Sequence, residues 1–266
     1  MCTGKGKIMK RVIDAHTHVT EDGRWFNTSY DASLARLFNE MEKAKLDKVI
    51  LLPVSPYISN EFVYRICKEF PNEIIGFASV EPLKVKAIEE LEKAITKYEL
   101  RGLKLHPRFQ MFRPNDGRLY KLYKKVEELG IPIMFDCILN RPTPLRDQLP
   151  ILYDDVANLI PDTPIILAHM GGFKFLEVLA VANKNKNIYV DTSLTLEYFY
   201  RTPFQEQVRF VLEKIGYDRV IYGSDFPERS LVATLISAKK ILIEFGVSNE
   251  NLYKIFYKNI LRLINK

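Results

Sequence analysis

Four histidines occur in the chain, His16, His18, His106 and His169, and each lies at the end of a short hydrophobic run. His16 and His18, in VIDAHTHV (12–19), are two residues apart. On a strand that spacing sends both imidazoles to one face. Two neutral imidazoles on one face form half of a divalent-metal site. Asp14 shares their alternation one layer deeper and reads as a supporting carboxylate rather than a ligand. Asp225, in VIYGSDFP (220–227), follows another hydrophobic run. Alone it would read as a helix cap. Opposite a His-x-His pair it completes the ligand types of a hydrolytic zinc or iron site and can take a proton from the metal-bound water. His169, in IILAHMGG (165–172), has Gly171 and Gly172 beside it, which leave room for a substrate. It can serve as general acid or base, as a further ligand, or as the partner of a developing oxyanion.

These side chains need a scaffold that brings strand ends to one place. Eight short runs recur: IMKRVIDA (8–15), KVILLPV (48–54), IIGFASV (74–80), GLKL (102–105), PIMF (132–135), PIILA (164–168), IYV (188–190) and RVIYG (219–223). Between them lie helical patterns such as Leu34, Leu37, Phe38 and Met41, with apolar residues three and four apart. Gly130, Gly216 and Gly246 stand where helices should end. Hydrophobic strands alternating with helices imply a parallel sheet covered by helices. Eight units in 266 residues match the size of an α/β (β/α)8 TIM barrel, read as one domain over 1–266. Residues 1–7 read as a disordered tail and 249–266 as an extra C-terminal helix. No G-x-G-x-x-G follows the first run, which disfavours an open dinucleotide-binding sheet. In a closed barrel the first and last strands are neighbours, so Asp225 can face His16 and His18. All four histidines then fall on the face where barrel enzymes build their sites.

The blocks IDAHTH (13–18), GLKLHP (102–107), ILAHMGG (166–172), YGSDFP (222–227) and KIFYKNILRLI (254–264) appear in an order that resembles the amidohydrolase superfamily, in its amidohydrolase-related, decarboxylase-like branch. The resemblance spans nearly the whole chain. It implies a metal-dependent barrel enzyme with His16, His18 and Asp225 as ligands and His169 as the catalytic histidine, or a ligand in two-metal relatives. One departure stands out. Where the resembled family ends its fifth strand with a histidine ligand, this chain reads IPIMFDC (131–137) and places Asp136 there. Either Asp136 replaces imidazole as an oxygen ligand, the favoured reading, or the third ligand is lost. Cys137, its neighbour, should point to the helical layer. The GLKLHP context implies that His106 lines the pocket. Lys104, which shares its face, is expected to be an ordinary ion-paired lysine rather than a carboxylated metal bridge.

Loops after the strands carry Arg24, Arg108, Arg113, Arg141, Arg146 and Arg229. Several guanidinium groups on one barrel face would favour an anionic substrate, Arg108 first among them. Trp25 and Phe26 could wall the site. The net charge is +6, but the first eleven residues hold +4 of it and the last seventeen +3, which leaves about −1 between them. Terminal basic tails make no nucleic-acid groove, so nucleic acid is not expected as the partner. Apolar runs are too short to span a bilayer, and the N-terminal segment lacks the apolar stretch of a secretory signal. Three scattered cysteines fit a reducing cytoplasm rather than a disulfide framework. The expected activity is hydrolysis of a C–N or C–O bond in a small anionic molecule. One divalent ion, zinc before Mn2+ or Fe2+, would serve it. A decarboxylase using the same ligands is the alternative, a metal-free, non-catalytic barrel is a third reading, and a homodimer is a possible assembly.

Overall fold

The structure, a computed structural model, describes residues 11–140 and 142–265. The expected tail, the first residues of the first run and Arg141 lie outside the described residues. Among the described residues, eight parallel strands follow one another: β1 (Ile13–Thr17), β2 (Lys48–Leu51), β3 (Ile74–Gly76), β4 (Leu103–Leu105), β5 (Ile133–Phe135), β6 (Ile165–Leu167), β7 (Ile188–Asp191) and β8 (Val220–Ile221). β1 to β3 form one ladder and β4 to β8 another. Two seams close them into a barrel. At the first, Ala78 N donates to Gly102 O and Lys104 N to Ala78 O, both at 2.7 Å. At the second, Ala15 N reaches Tyr222 O at 3.0 Å, and His18 N reaches Phe226 O at 2.8 Å. The chain is a single-domain (β/α)8 barrel, as the alternation of runs and helical patterns implies.

Helices cover the outside because their apolar stripes match the outward residues of the strands. Ser33, Ser59 and Ser230 begin three of them (Leu34–Ala44, Asn60–Glu69 and Leu231–Glu244) with side-chain caps on backbone N–H groups. Val49, Leu103, Phe135 and Leu167 fill the layer between sheet and helices. Inside the barrel, Ile13, Ile50, Phe77, Met134 and Ile166 form a second core. The C-terminal segment closes that core from below. It runs helically from Asn249 to Ile264, with a wider turn over Lys254–Lys258. Ile260, Leu263 and Ile264 enter the inner core, and Asn259 Nδ2 donates to the carbonyls of Tyr217 and Val220 at 2.7 Å each. Ile260 is fully buried. Ile260→Ala should therefore destabilise the fold by about 2–5 kcal/mol. The check is a denaturant midpoint that falls at constant slope while turnover holds, since this plug lies at the end opposite the histidines.

Candidate metal and proton-transfer site

β1 does not alternate strictly. Asp14 pairs with Val49 and Thr17 with Leu51, so three steps of β1 span two of β2. Such an irregularity re-aims side chains. Val49 and Leu51 belong to the outer layer, whereas Ile13, Ala15 and Ile50 belong to the inner core. The extra residue brings His16 and His18 to the mouth and leaves Asp14 on the outer face, contrary to the shared alternation expected for it. There Asp14 Oδ1 accepts from the backbone N–H groups of His16 and Ser224, each at 3.0 Å. Burial pushes its carboxyl up to about 7. The backbone of β8 approaches so closely that a Cβ on Gly223 would lie 2.6 Å from the His16 Cβ. Glycine is needed there to let the two strand ends meet.

Hydrogen bonds fix both imidazoles in one tautomer. His18 Nδ1 lies 2.6 Å from the Leu52 carbonyl, which can only accept. His16 Nδ1 lies 2.8 Å from Asp191 Oδ2. Burial first, then neighbouring cationic groups, lowers the pKa of both rings and keeps them neutral. With the proton on Nδ1, each Nε2 presents a lone pair. Asp225 Oδ1 stands 3.3 Å from His16 Nε2 and 3.8 Å from His18 Nε2. Asp225 reaches this point with a left-handed backbone, φ 65°, a conformation aspartate tolerates better than most residues. This donor set fits a divalent ion. A second trio, His16, His169 and Asp191, also brings its polar atoms within 4.8 Å of one another. Its carboxylate is already saturated, however. Besides His16, Asp191 accepts from His169 N at 2.9 Å, Ser193 N at 3.0 Å and the Ser193 hydroxyl. Burial alone would raise Asp191, but these donors hold it well below the usual carboxylate range.

Lys104 differs from the ordinary ion-paired lysine expected from its context. It is fully buried, with Nζ 3.4 Å from His16 Nε2. Burial lowers its pKa, opposed by Asp136, Asp191 and Asp225. An ammonium there competes with a bound cation for the same lone pair.

Asp136 directly follows β5, at the height expected, but it faces a different set of partners. Oδ1 lies 3.3 Å from His169 Nε2 and Oδ2 3.1 Å from Arg108 Nε. Both oxygens thus have partners, His169 and Arg108, and Asp136 is not among the residues whose ligand atoms cluster with His16 and His18. Burial alone would raise its carboxyl; the bond to His169 and the charge of Arg108 hold it well below its ordinary range. His169 responds in the opposite sense. Burial lowers an imidazole, but the bond to Asp136 and the charges of Asp225 and Asp191 outweigh it, and the pKa rises. His169 Nδ1 meets Ser193 Oγ at 2.8 Å. Cys137 turns outward into the layer shared with Tyr153, as strand alternation requires.

A family model described as Amidohydrolase matches residues 13–266. The chain belongs to the amidohydrolase family. No curated protein matches it in sequence. Among solved structures, it is similar to an uncharacterized TIM-barrel protein from Bordetella bronchiseptica. That match has TM-score 0.81 at 21% identity and covers 96% of this chain and 98% of the other. It is also similar to a probable 2-pyrone-4,6-dicarboxylic acid hydrolase from Acinetobacter baumannii, with TM-score 0.69 at 18% identity over 96% and 100% of the two chains. A dihydroxybenzoic acid decarboxylase from Polaromonas sp. JS666, carrying bound manganese and an inhibitor, gives TM-score 0.74 at 15% identity over 96% and 97%. At these identities the likeness is one of fold.

Around this site the remaining expected residues separate clearly. His106 is buried in the mouth, its Nδ1 without a hydrogen-bond partner among the described residues. Of the six loop arginines, Arg108 joins the site, while Arg24, Arg113, Arg146 and Arg229 are exposed. Trp25 stacks on His18 with centroids 4.9 Å apart, and its Nε1 donates to Glu228 at 3.0 Å. Phe26 packs on Trp25 and Phe109, extending the wall outward. Gly171 does not open space for substrate: a Cβ there would meet Val178 at 2.4 Å, and its φ is 76°. Its role is to let the loop turn against the helix Phe175–Lys184. Two residues escaped sequence reasoning, Asp191 and Ser193. Asp191 directly follows the IYV run, as Asp136 follows PIMF, and Asp225 comes two residues after RVIYG; that position at a run's end was the available signal.

Among the described residues, no helix is long and apolar enough to cross a membrane.

Proposed function

We propose that this protein is a metal-dependent hydrolase of small carboxylate-bearing molecules, with one divalent ion held by His16 Nε2, His18 Nε2 and Asp225. The observation that carries the reading is the fixed tautomer of both imidazoles, which turns two lone pairs toward one carboxylate oxygen. A divalent ion in that position supplies Lewis acidity and a lowered pKa for water. With the ion bound, Asp225 would take the proton of the attacking water; His169, whose protonated form the Asp136 anion favours, would deliver a proton from Nε2 to the leaving group, and the proton taken by Asp225 would leave to solvent as His169 takes one up. Arg108 and the free Nδ1 of His106 bind the substrate's carboxylate and polar edge, and Trp25 covers the reacting centre. Zinc suits the two imidazoles, with manganese as the harder alternative.

Decarboxylation is the second reading. It is favoured by the aromatic wall of Trp25, Phe26 and Phe109, which suits a planar aromatic acid, and by a decarboxylase among the similar structures. In that reaction His169 would protonate ring carbon instead of a leaving group. The test pairs metal quantification with product analysis. Parent protein should carry one equivalent of metal, and the His16→Ala/His18→Ala double variant should carry none while keeping its circular dichroism. Ester, lactone and amide substrates should release carboxylate without CO2. Stoichiometric metal in the double variant sinks the ligand assignment; CO2 release from hydroxybenzoates selects the lyase.

A further inference from the structure

The end of the barrel opposite the histidines holds a cavity of about 830 Å³ between the starts of β1 to β4 and the C-terminal segment. Its wall carries Arg11, Lys48, Lys68, Lys97 and Arg101 against one carboxylate, Glu99. Asp47 neutralises Arg11 at 3.2 Å, and Lys48 Nζ is taken by the Asn72 carbonyl. Lys68 lies beside Tyr64. The side chains of Lys97 and Arg101 have no hydrogen-bond or ion-pair partner among the described residues. A recess that gathers like charges is disfavoured by their repulsion unless an anion enters it.

We infer that this cavity binds a small molecule through a multivalent phosphate-type anion, a diphosphate or triphosphate group, at a site separate from the metal centre. Its size lies in the range of small-molecule pockets. Multivalency follows from the number of cations: Lys97 and Arg101 are unpartnered, Lys68 and Lys48 stand on the same wall, and one monovalent anion would leave most of them uncompensated. Guanidinium adds a bidentate donor for phosphate oxygens, and ammonium groups add point charges. A small molecule fits better than nucleic acid because the cations line one recess, whereas a polyanion follows a stripe across a face. Tyr64, Tyr98 and Tyr257 stand on the same wall, with Tyr64 and Tyr98 stacked 4.7 Å apart.

The probes are pyrophosphate, tripolyphosphate and ADP, titrated by calorimetry into the intact protein at about 150 mM salt. Tripolyphosphate and ADP should bind with Kd below about 100 μM and should raise Tm. Lys97→Ala/Arg101→Ala should weaken both at least about tenfold, and Lys184→Ala/Lys186→Ala, outside the cavity lining, should not. Since Lys97 and Arg101 are exposed, unchanged circular dichroism is expected in both double variants. Three outcomes overturn the site: no binding of any probe at about 1 mM, parent-like binding by the Lys97/Arg101 variant, or tighter binding of a short single-stranded RNA than of tripolyphosphate.

Discussion

Replacing His169 by asparagine should lower turnover by about 10²–10⁴-fold, the usual contribution of a positioned acid or base, with little change in Tm. The geometry separates this residue from a histidine that merely packs. Asp191 accepts the Ser193 hydroxyl proton, so Ser193 Oγ is left to accept from His169 Nδ1. Nε2 is then the end that exchanges protons, and it faces Asp136 across 3.3 Å. His169 is held with φ 59°, a left-handed conformation uncommon for histidine, and its backbone N–H is fixed by Asp191 at 2.9 Å. Such strain persists only where surrounding contacts enforce it. Asparagine can keep the bond from the Nδ1 position to Ser193, but it has no titratable proton. Turnover close to the parent's would remove His169 from the proton path and leave Asp225 as the sole acid–base group.

The barrel and the His16–His18–Asp225 grouping were legible because they depend on spacing and on chain order. Eight hydrophobic runs require eight strands, and closure makes the ends of β1 and β8 neighbours. The residues whose surroundings differ from expectation depend on departures from those rules. Asp14 left the mouth because of one extra residue in β1, and no residue type between Asp14 and Thr17 announces a bulge. Asp136 sits at the expected height, yet its partners come from the β4 and β6 loops, whose paths are set by Pro107 and by the left-handed turn at His169. Asp191 lies just past the hydrophobic run, which ends at Val190, whereas β7 continues to Asp191. The basic cavity is hidden for a similar reason. Lys48, Lys68, Lys97 and Arg101 lie at the ends of separate elements, and only the barrel gathers them.

Removing the Asp136 carboxylate should change how the enzyme responds to pH more than how it holds metal. Neither Asp136 oxygen is directed at His16 or His18, so Asp136→Ala should retain stoichiometric metal. It should also release His169 from its anion. Asp136 supports the charged imidazole, and His169 has a raised pKa in its presence. The sign follows directly: loss of that anion lowers the folded-state pKa, so the protonated form disappears at lower pH. If protonated His169 is the acid, the alkaline limb of the kcat profile moves downward, and turnover beyond it falls about 10- to 100-fold. The same raised pKa contributes stability that is fully present below the unfolded value of about 6.5 and is lost as pH rises through the folded value. Asp136→Ala should therefore lose more Tm at acidic pH than at alkaline pH. That comparison needs the variant to fold, because Arg108 loses its partner too; Asp136→Asn, which keeps the size and can still accept from Arg108, supplies the milder control. Asp136→His restores the ring of the resembled family but places it beside His169 and Arg108 without an anion, so it should mimic alanine in pH profile. Loss of metal in Asp136→Ala, with tighter zinc binding in Asp136→His, would instead make the fifth-strand carboxylate a ligand, drawn from His169 toward the ion when metal binds.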